Sequence, residues 1–384
     1  MLNKIQSPKI TGVGSALIDL LIHETDDFLL QIGKEKGGMT LVDDSYIEDI
    51  LKKSSFGNNK GCPNQVKSSY IDEIIKKTVN QPIIVPGGAT CNTIIGIGKL
   101  GGKSSFIGKR GDDYYGEFYE ENLKNANVET IFHKSSTPTG KVLSIITPDA
   151  QRSMFTCLGA STELLPDSIT PEMFKDSGIA IMEGYLLFNP ELMMACLKSA
   201  KQANAMIALD LASFEVVQAS KSILTGIVKD YVDILIANED EARAYTGCSD
   251  EMEALDSLAE NVSIAVLKIG ERGSYIAYKE EDKEAYKVEN CKNQACKTKD
   301  NTSKTKDKTC KTNIIRINAK IGEPIKDTTG AGDLWAAGFL YGIANGYSIE
   351  KSGEIASACG YEVCQVIGAQ IPEDGWQRIR NLLI

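Results

Sequence analysis

The chain has 384 residues, which suits one large α/β domain with a smaller appendage. Lys and Arg total 42 against 52 Asp and Glu, so the formal net charge is −10. This acidic balance argues against a nucleic-acid partner, although a local positive site could still hold an anionic substrate. No apolar stretch is long enough to span a bilayer, and no signal-peptide core opens the chain. The ten cysteines are scattered through mostly apolar segments, which predicts reduced thiols in a cytoplasmic protein.

The first apolar segment, residues 10–22, predicts one buried strand that contains Asp19. A buried carboxylate without a partner is costly, so Asp19 is expected either at an exposed strand end or bound to a polar ligand. Residues 36–43 predict a short lid strand, and the turn-rich residues 54–64 predict a surface loop.

A glycine pair, Gly87 and Gly88, precedes a predicted helix that runs to about residue 100. The pair could serve as a hinge or let a substrate lie against the backbone, and Asn92 in the first turns could point at that substrate. Two phosphate-loop motifs nearly occur in this helix. Gly96 to Gly101 fits GxGxxG but ends a helix instead of following a strand, and Ile97 occupies the first glycine position of a Walker A loop. We exclude both motifs.

Apolar strand patterns then alternate with helical ones. This alternation predicts a doubly wound, mainly parallel sheet flanked by helices, in which ligands bind beyond the carboxyl ends of the strands. The predicted strands are 104–109, 141–147, 179–183, 206–211, 232–237 and 264–269, and the predicted helices are 190–204, 215–229, 239–246 and 250–261.

Polar groups follow two of these strands. Asn238 to Glu241 begins directly after one strand and would suit a hydrated Mg²⁺, which prefers oxygen ligands. The same residues would equally suit a helix N-cap with acidic groups in the first turn. The segment from Lys268 to Gly273 follows the next strand, and its spaced glycines fit a loop beside a nucleotide.

Residues 289–312 are rich in Lys, Thr, Asn and Asp and predict a disordered hairpin insertion. Cys291, Cys296 and Cys310 lie in this insertion, but three cysteines without a fourth ligand do not make a structural zinc site.

The segment Asp327-Thr-Thr-Gly-Ala-Gly-Asp333 comes directly before a helical pattern of Ala, Leu and Phe. The first amides of a helix lack internal partners and lie at the positive end of its dipole, so this start predicts an anion site. Asp333 at its edge could accept a proton, and phosphoryl transfer to a hydroxyl requires both features. The alternative is that Asp333 only caps the helix.

These motifs, in this order, resemble the ribokinase-like (PfkB) family of carbohydrate and nucleoside kinases, in particular its bacterial adenosine-kinase-like branch. The resemblance covers residues 8–370 except for surface insertions at 54–70 and 289–312. It implies a single kinase domain over residues 1–384, with a small β-sheet lid formed by parts of 10–45 and 103–160.

The resemblance also implies roles for individual residues. Asp333 would be the catalytic base, and the amides of Gly330, Ala331 and Gly332 would bind the migrating phosphoryl group. Asp19 and Asn92 would hold acceptor hydroxyls beside the lid hinge at Gly87 and Gly88. The nucleotide side would comprise Asn238, Glu241 for Mg²⁺, Lys268, Gly270, Gly273 and Arg152, with residues 321–325 and 359–363 bordering the adenine.

The predicted activity is ATP-dependent transfer of the γ-phosphate to a hydroxymethyl group of a nucleoside, with adenosine as the first candidate. A sugar kinase of fructose, ribose or ketodeoxygluconate type is the alternative, and a catalytically retired ligand binder is a second one. Retention of Asp333 and of the full glycine loop argues against retirement, because a pure binder has no use for a base. Neither K⁺ use nor the choice between monomer and homodimer is decided by the sequence.

Overall fold

A computed structural model describes residues 7–34, 36–54, 83–149, 151–279 and 312–383. The predicted insertions lie outside these residues except at Ser54 and Thr312, and so do the three cysteines between 291 and 310.

Within the described residues, nine strands form one large sheet in the order β14-β13-β12-β11-β10-β9-β1-β5-β6. The strands from β12 to β6 in this order run parallel, and β13 and β14 are antiparallel at one edge. The predicted doubly wound sheet is therefore confirmed. Its strands are β1 (Lys9–Val13), β5 (Ser104–Gly111), β6 (Val128–Ser135), β9 (Ser177–Glu183), β10 (Met206–Asp210), β11 (Ile234–Asn238), β12 (Ile264–Lys268), β13 (Ser274–Lys279) and β14 (Thr312–Ile317).

A second, smaller sheet has the strand order β3-β8-β7-β2-β4. We call this five-stranded sheet the lid sheet. Four of its strands fall within the two ranges predicted to contribute to a lid, and β4 is an additional strand that the sequence did not indicate. The lid strands are β2 (Leu17–His23), β3 (Met39–Leu41), β4 (Ile83–Gly87), β7 (Thr139–Ile146) and β8 (Arg152–Gly159).

Helices cover both faces of the large sheet and one face of the lid sheet. Helices α1 and α2 belong to the lid, where Phe28, Leu29, Ile47 and Ile50 are buried. The helices are α1 (Asp26–Gln31), α2 (Asp44–Lys53), α3 (Ala89–Lys99), α4 (Tyr114–Asn125), α5 (Pro190–Gln202), α6 (Phe214–Tyr231), α7 (Glu239–Thr246), α8 (Glu251–Ala259), α9 (Ala331–Ala344), α10 (Ile349–Val363) and α11 (Glu373–Arg380).

The prediction of one continuous strand over residues 10–22 is wrong. The apolar run breaks at residues 14–16, and its two halves join different sheets as β1 and β2. The sequence pattern missed the break because Gly14 and Ala16 are as buried as the strands beside them. Asp19 is accordingly the third residue of β2 and does not stand at a strand end.

The large sheet is buried on both faces, as its parallel strands require. On β11, Ile234 and Ile236 pack into one apolar layer, while Leu235 and Ala237 pack into the other. This period of two sends alternate side chains to opposite faces, so the polar residues collect at the strand ends. None of the helices in the described ranges combines the length and apolar character needed to cross a membrane.

Candidate active site

Four neighbouring parallel strands each end in a polar or charged residue. β9 ends at Glu183, β10 at Asp210, β11 at Asn238 and β12 at Lys268. The carboxyl ends of parallel strands meet at one edge of the sheet, where α/β proteins bind their ligands. The amino end of α9, which contains Asp333, lies at this same edge, because Gly332 is beside Lys268.

Asp333 lies in the first turn of α9 and contacts α3. Its Oδ2 accepts a hydrogen bond of 2.9 Å from Nδ2 of Asn92, and its carbonyl accepts one of 3.0 Å from Oγ1 of Thr93. Burial raises the pKa of Asp333 to about 7, although the Asn92 hydrogen bond opposes that rise. The N-cap of α9 is Gly330, so Asp333 is not the cap of this helix.

Close packing of two helices makes this contact possible. A side chain at Gly96 of α3 would place its Cβ 2.7 Å from Cβ of Ala337 in α9. Because Gly96 has no side chain, α3 approaches α9 closely enough for Asn92 to reach Asp333. Gly96, the first glycine of the segment that imitates a dinucleotide motif, therefore serves helix packing.

The amino end of α9 has the features of an anion site. Gly330 adopts a φ of 72° and accepts a hydrogen bond of 2.8 Å from the Leu334 amide. A side chain at Gly332 would place its Cβ 3.1 Å from Nζ of Lys268, so an ammonium group lies against this turn. The Ala331 amide donates to the Thr328 carbonyl at 3.1 Å and would have to share its hydrogen with a phosphoryl oxygen. A helix start beside a cation attracts phosphate.

Lys268 is held by acidic neighbours. Its Nζ donates to Oδ2 of Asp210 at 3.0 Å, and both side chains are mostly buried. Burial alone would lower the pKa of Lys268, but the carboxylates of Asp210 and Glu241 outweigh it and leave that pKa raised. Lys268 therefore stays charged beside Gly332.

Asn238 and Glu241 form the helix cap that the sequence allowed. The Asn238 side chain accepts from the Glu241 amide at 2.9 Å, while the Glu241 carboxylate accepts from the backbone and side-chain amides of Asn238 at 2.8 and 2.7 Å. Burial raises the pKa of Glu241. Each carboxylate oxygen keeps a further lone pair, which fits an outer contact through the waters that Mg²⁺ retains.

The lid sheet contributes Asp19. A side chain at Gly87 would place its Cβ 2.4 Å from Cγ of Asp19, so only glycine leaves room for this carboxyl group. Burial raises the pKa of Asp19 to about 6, and the charge of Arg152 opposes that rise. Gly88 adopts a φ of 93° where the chain returns to the core.

Arg152 starts β8 and lies near Asp19. Its Nη2 donates to Oγ of Ser144 at 2.8 Å, and its buried Nε has no hydrogen-bond partner among the described residues. Burial alone would raise the pKa of Asp327, but hydrogen bonds from the Gly368 amide and Thr329, together with the charge of Arg152, leave that pKa lowered. The charge of Arg152 thus acts on both the lid carboxylate and the start of the glycine loop.

The remaining predicted nucleotide residues lie farther along the same edge. Gly270 adopts a φ of 57° with open space around it, whereas a side chain at Gly273 would meet the Ile317 carbonyl at 2.0 Å. The contact with β14 is thus sufficient by itself to require glycine at position 273. Segment 321–325 meets α10 through a hydrogen bond of 3.0 Å from the Glu323 amide to Oη of Tyr361. The two segments predicted to border the adenine are therefore neighbours.

Sequence reasoning missed two acidic residues of this edge. Asp210 holds Lys268, and Glu183 accepts hydrogen bonds from the amides of Ser15 and Thr90, both at 3.0 Å. Glu183 ends its predicted strand and Asp210 is the last residue but one of its own, so the rule that located Asn238 could have located them too.

Comparisons with known proteins identify the family of this chain. A sequence model of the pfkB family carbohydrate kinases matches residues 66–298 and 308–375. A nucleoside kinase of Methanocaldococcus jannaschii is 28% identical over 296 residues, which are 76% of this chain and 83% of that protein. A 5-dehydro-2-deoxygluconokinase of Bacillus licheniformis is 26% identical over 288 residues, 71% of this chain and 78% of that protein. The crystal structure of adenosine kinase from Sinorhizobium meliloti superposes with a TM-score of 0.76 and 25% identity, covering 98% of this chain and 99% of that one.

The family match spans well over half of the chain and includes both glycine-rich segments, at Gly87–Gly88 and at 327–333. The predicted resemblance and the predicted phosphotransferase activity are both confirmed. Kinases of this family use ATP and typically Mg²⁺. The chain therefore belongs to the pfkB family of carbohydrate kinases, and it is a phosphotransferase whose acceptor is a nucleoside or a sugar.

Proposed function

We propose that this kinase transfers the γ-phosphate of ATP to the hydroxymethyl group of a nucleoside, with adenosine as the first candidate, and that it does so in the cytoplasm. The observation that carries the proposal is the position of Asp333. This carboxylate has a pKa raised to about 7 and lies in the turn of α9 that Lys268 flanks. A base beside an anion site is the arrangement that phosphoryl transfer to a hydroxyl needs.

In the proposed reaction, Asp333 takes the proton of the acceptor hydroxyl as its oxygen attacks the γ-phosphorus. A new oxygen–phosphorus bond forms, the bond to the β-phosphate oxygen breaks, and ADP leaves. The first amides of α9 and the ammonium group of Lys268 stabilise the negative charge on the migrating phosphoryl group. Bound Mg²⁺ would neutralise charge on the phosphates, and Asn238 and Glu241 would hold its waters.

The surroundings of Asp19 support a nucleoside. The strand register places Val85 on one side of Asp19 and Val142 on the other. Leu17 and Leu21 share its face of β2, because alternate residues of a strand point the same way. A carboxylate set among apolar side chains fits a ribose joined to a flat base better than it fits a free sugar.

One observation favours a sugar acid as the alternative acceptor. The lid face that carries Asp19 also carries Arg152, whose Nε has no partner among the described residues. A guanidinium group binds carboxylate in a bidentate manner. The related 5-dehydro-2-deoxygluconokinase is named for a sugar acid. An acceptor with a carboxylate is therefore the second candidate.

A thermal-shift panel followed by a coupled ADP assay tests these alternatives. The panel contains adenosine, guanosine, inosine, ribose, fructose and 5-dehydro-2-deoxygluconate, each with Mg²⁺ and a non-hydrolysable ATP analogue. We expect adenosine to give the largest rise in melting temperature and to release ADP when ATP is supplied. A larger effect of the sugar acid would favour a sugar-acid kinase. Binding without ADP release would indicate a ligand-binding protein that has lost its kinase activity.

A further inference from the structure

The described chain passes between the large sheet and the lid sheet four times, and the first entry and the first return lie side by side. It enters the lid between β1 and β2, at residues 14–16, and returns between β4 and α3, at Gly88. We call these two segments the lid crossings. A side chain at Gly88 would place its Cβ 2.7 Å from the Ser15 carbonyl oxygen, so the two crossings touch.

Glu183 bridges the two lid crossings. This residue ends β9, the neighbour of β1 in the large sheet, and is 2% exposed. Its Oε1 accepts a hydrogen bond of 3.0 Å from the Ser15 amide, and its Oε2 accepts one of 3.0 Å from the Thr90 amide. One carboxylate from the large sheet therefore binds the backbone where the chain first enters the lid and where it first leaves it.

The fit around this carboxylate is close. A side chain at Gly14 would place its Cβ 2.9 Å from Oε2 of Glu183 and 2.9 Å from Cβ of Thr90. Burial raises the pKa of Glu183, and the two amides oppose that rise. If the site served packing alone, an apolar residue would fill it without the cost of a buried charge.

We propose that Glu183 is a fixed pivot of the lid at these two crossings and a positioning residue for phosphoryl transfer. Asp19 of β2 follows Ser15 by four residues along the chain, and Asn92 follows Thr90 by two residues along α3. By binding both crossings, Glu183 fixes the acceptor-binding carboxylate of the lid relative to the residue that contacts Asp333. This role rests on the proposed functions of Asp19 and Asp333, but the two hydrogen bonds do not depend on which acceptor is bound.

Two variants remove the bridge in different ways. Glu183→Gln keeps the size of the side chain, but its terminal NH₂ cannot accept from an amide, so one crossing is released. Gly14→Ala leaves the carboxylate intact and pushes it away with a methyl group. Asp233→Asn is the matched control. Asp233 accepts from the Ile207 amide and from Nζ of Lys201, both at 2.7 Å. These contacts lie at the amino ends of β10 and β11, whereas Glu183 lies at the carboxyl end of β9.

Hydrogen–deuterium exchange of the unliganded protein, followed by peptide mass spectrometry, tests the pivot without any acceptor. We expect peptides covering 12–17 and 88–93 to exchange at least tenfold faster in both bridge variants, with β10 and β11 unchanged. Asp233→Asn should leave the two crossings unchanged. A uniform increase over the whole chain, or no increase at the crossings, would overturn the proposal. Fast exchange of both crossings in the wild type would overturn it as well, even if neither variant folds.

Steady-state kinetics with adenosine and ATP test the positioning role. Glu183→Gln should raise KM for adenosine by up to about 10- to 100-fold, because a displaced Asp19 would lose a hydrogen bond of a charged group to the acceptor, while KM for ATP stays within about threefold. A merely structural role would lower the active fraction, and so kcat, without this split. Equal changes in both KM values would contradict a pivot. Inactivity of the wild type toward adenosine would count against the nucleoside assignment and would leave the exchange result standing.

Discussion

The side-chain amide of Asn92 donates a hydrogen bond of 2.9 Å to the carboxylate of Asp333, across 241 positions of the chain. It joins the start of α3, which follows the lid, to the start of α9, which forms the anion site. An amide donor favours the ionised carboxylate and opposes the burial that disfavours it. The contact therefore helps to keep Asp333 a usable base near neutral pH.

Activity should depend on the ionisation of Asp333. Because the pKa of this carboxyl group is raised to about 7, kcat/KM for the acceptor should rise between pH 6 and 8 and level off above that range. Asn92→Leu removes a donor to the ionised form, so the midpoint should move to higher pH. The control is Asn345→Ala, which removes an amide at the far end of α9 that donates to the Tyr341 carbonyl. A midpoint that moves to lower pH in Asn92→Leu would contradict the assignment.

The raised pKa of Asp333 also predicts how the stability of the protein depends on pH. The folded-state pKa of Asp333 lies above the ordinary value of 3.8, so its ionisation costs stability. That cost is fully present above about pH 7 and vanishes below about pH 4. Asp333→Asn should therefore raise the melting temperature at pH 8, and the gain should shrink as the pH falls toward 4.

Two glycines of the same loop should fail in different ways. A methyl group at Gly332 meets only the end of the Lys268 side chain, with Nζ at 3.1 Å, and no backbone atom, so Gly332→Ala should fold normally and lower kcat by about 10- to 100-fold. A methyl group at Gly330 meets Cβ of Ala369 at 2.6 Å, and its φ of 72° is strained for alanine. Gly330→Ala should therefore lose about 1–3 kcal/mol of unfolding free energy. Urea titrations and kcat measurements on both variants test this difference. A large loss of unfolding free energy in Gly332→Ala, or none in Gly330→Ala, would contradict it.

Variants of the Lys268–Asp210 pair distinguish a contribution of Lys268 to stability from a contribution to phosphoryl transfer. Lys268→Met leaves the Asp210 carboxylate buried without its partner, which should cost about 3–5 kcal/mol of unfolding free energy. Adding Asp210→Asn removes the unpaired charge and should restore much of that loss. Activity should stay low in the double variant, because the cation beside Gly332 is still missing. Recovery of wild-type kcat in the double variant would show that Lys268 only neutralises Asp210.

Asp19 should control recognition of the ribose. If its carboxylate binds ribose hydroxyls, Asp19→Ala should weaken adenosine binding by about 1.5–3 kcal/mol, the range for hydrogen bonds to a charged group. The wild type should prefer adenosine to 2′-deoxyadenosine, and the variant should show less of this preference. The kcat/KM values of both proteins for both nucleosides measure the change. Equal values for variant and wild type with every acceptor would remove Asp19 from the site.

Local patterns were sufficient for much of the fold and part of the site. The segment 327–333 could be recognised from sequence as the start of a helix, because a glycine-rich helix start is formed by neighbouring residues. The alternation of strands and helices likewise gave the parallel sheet, which the structure confirms. The cap formed by Asn238 and Glu241 is also a local arrangement, and the structure contains it.

Long-range contacts were not accessible in this way. Glu183 acquires its two partners from residues 168 and 93 positions away, and no spacing rule predicts such a meeting. The split of residues 10–22 between two sheets was missed for a similar reason, because a buried crossing is as apolar as the strands it joins. The strand β4 becomes recognisable only through its antiparallel pairing with β2.

The most direct test of the central claim is product analysis of wild-type protein and Asp333→Asn with adenosine, ATP and Mg²⁺. Phosphorus NMR identifies the acceptor position, because a phosphate on a hydroxymethyl oxygen is coupled to two methylene protons and gives a triplet. We expect this triplet with the wild type, a rate about 10²- to 10⁴-fold lower with Asp333→Asn, and similar adenosine binding by both proteins. A product phosphorylated at a ring hydroxyl, or equal rates for the two proteins, would contradict the proposed role of Asp333 in transfer to a hydroxymethyl group.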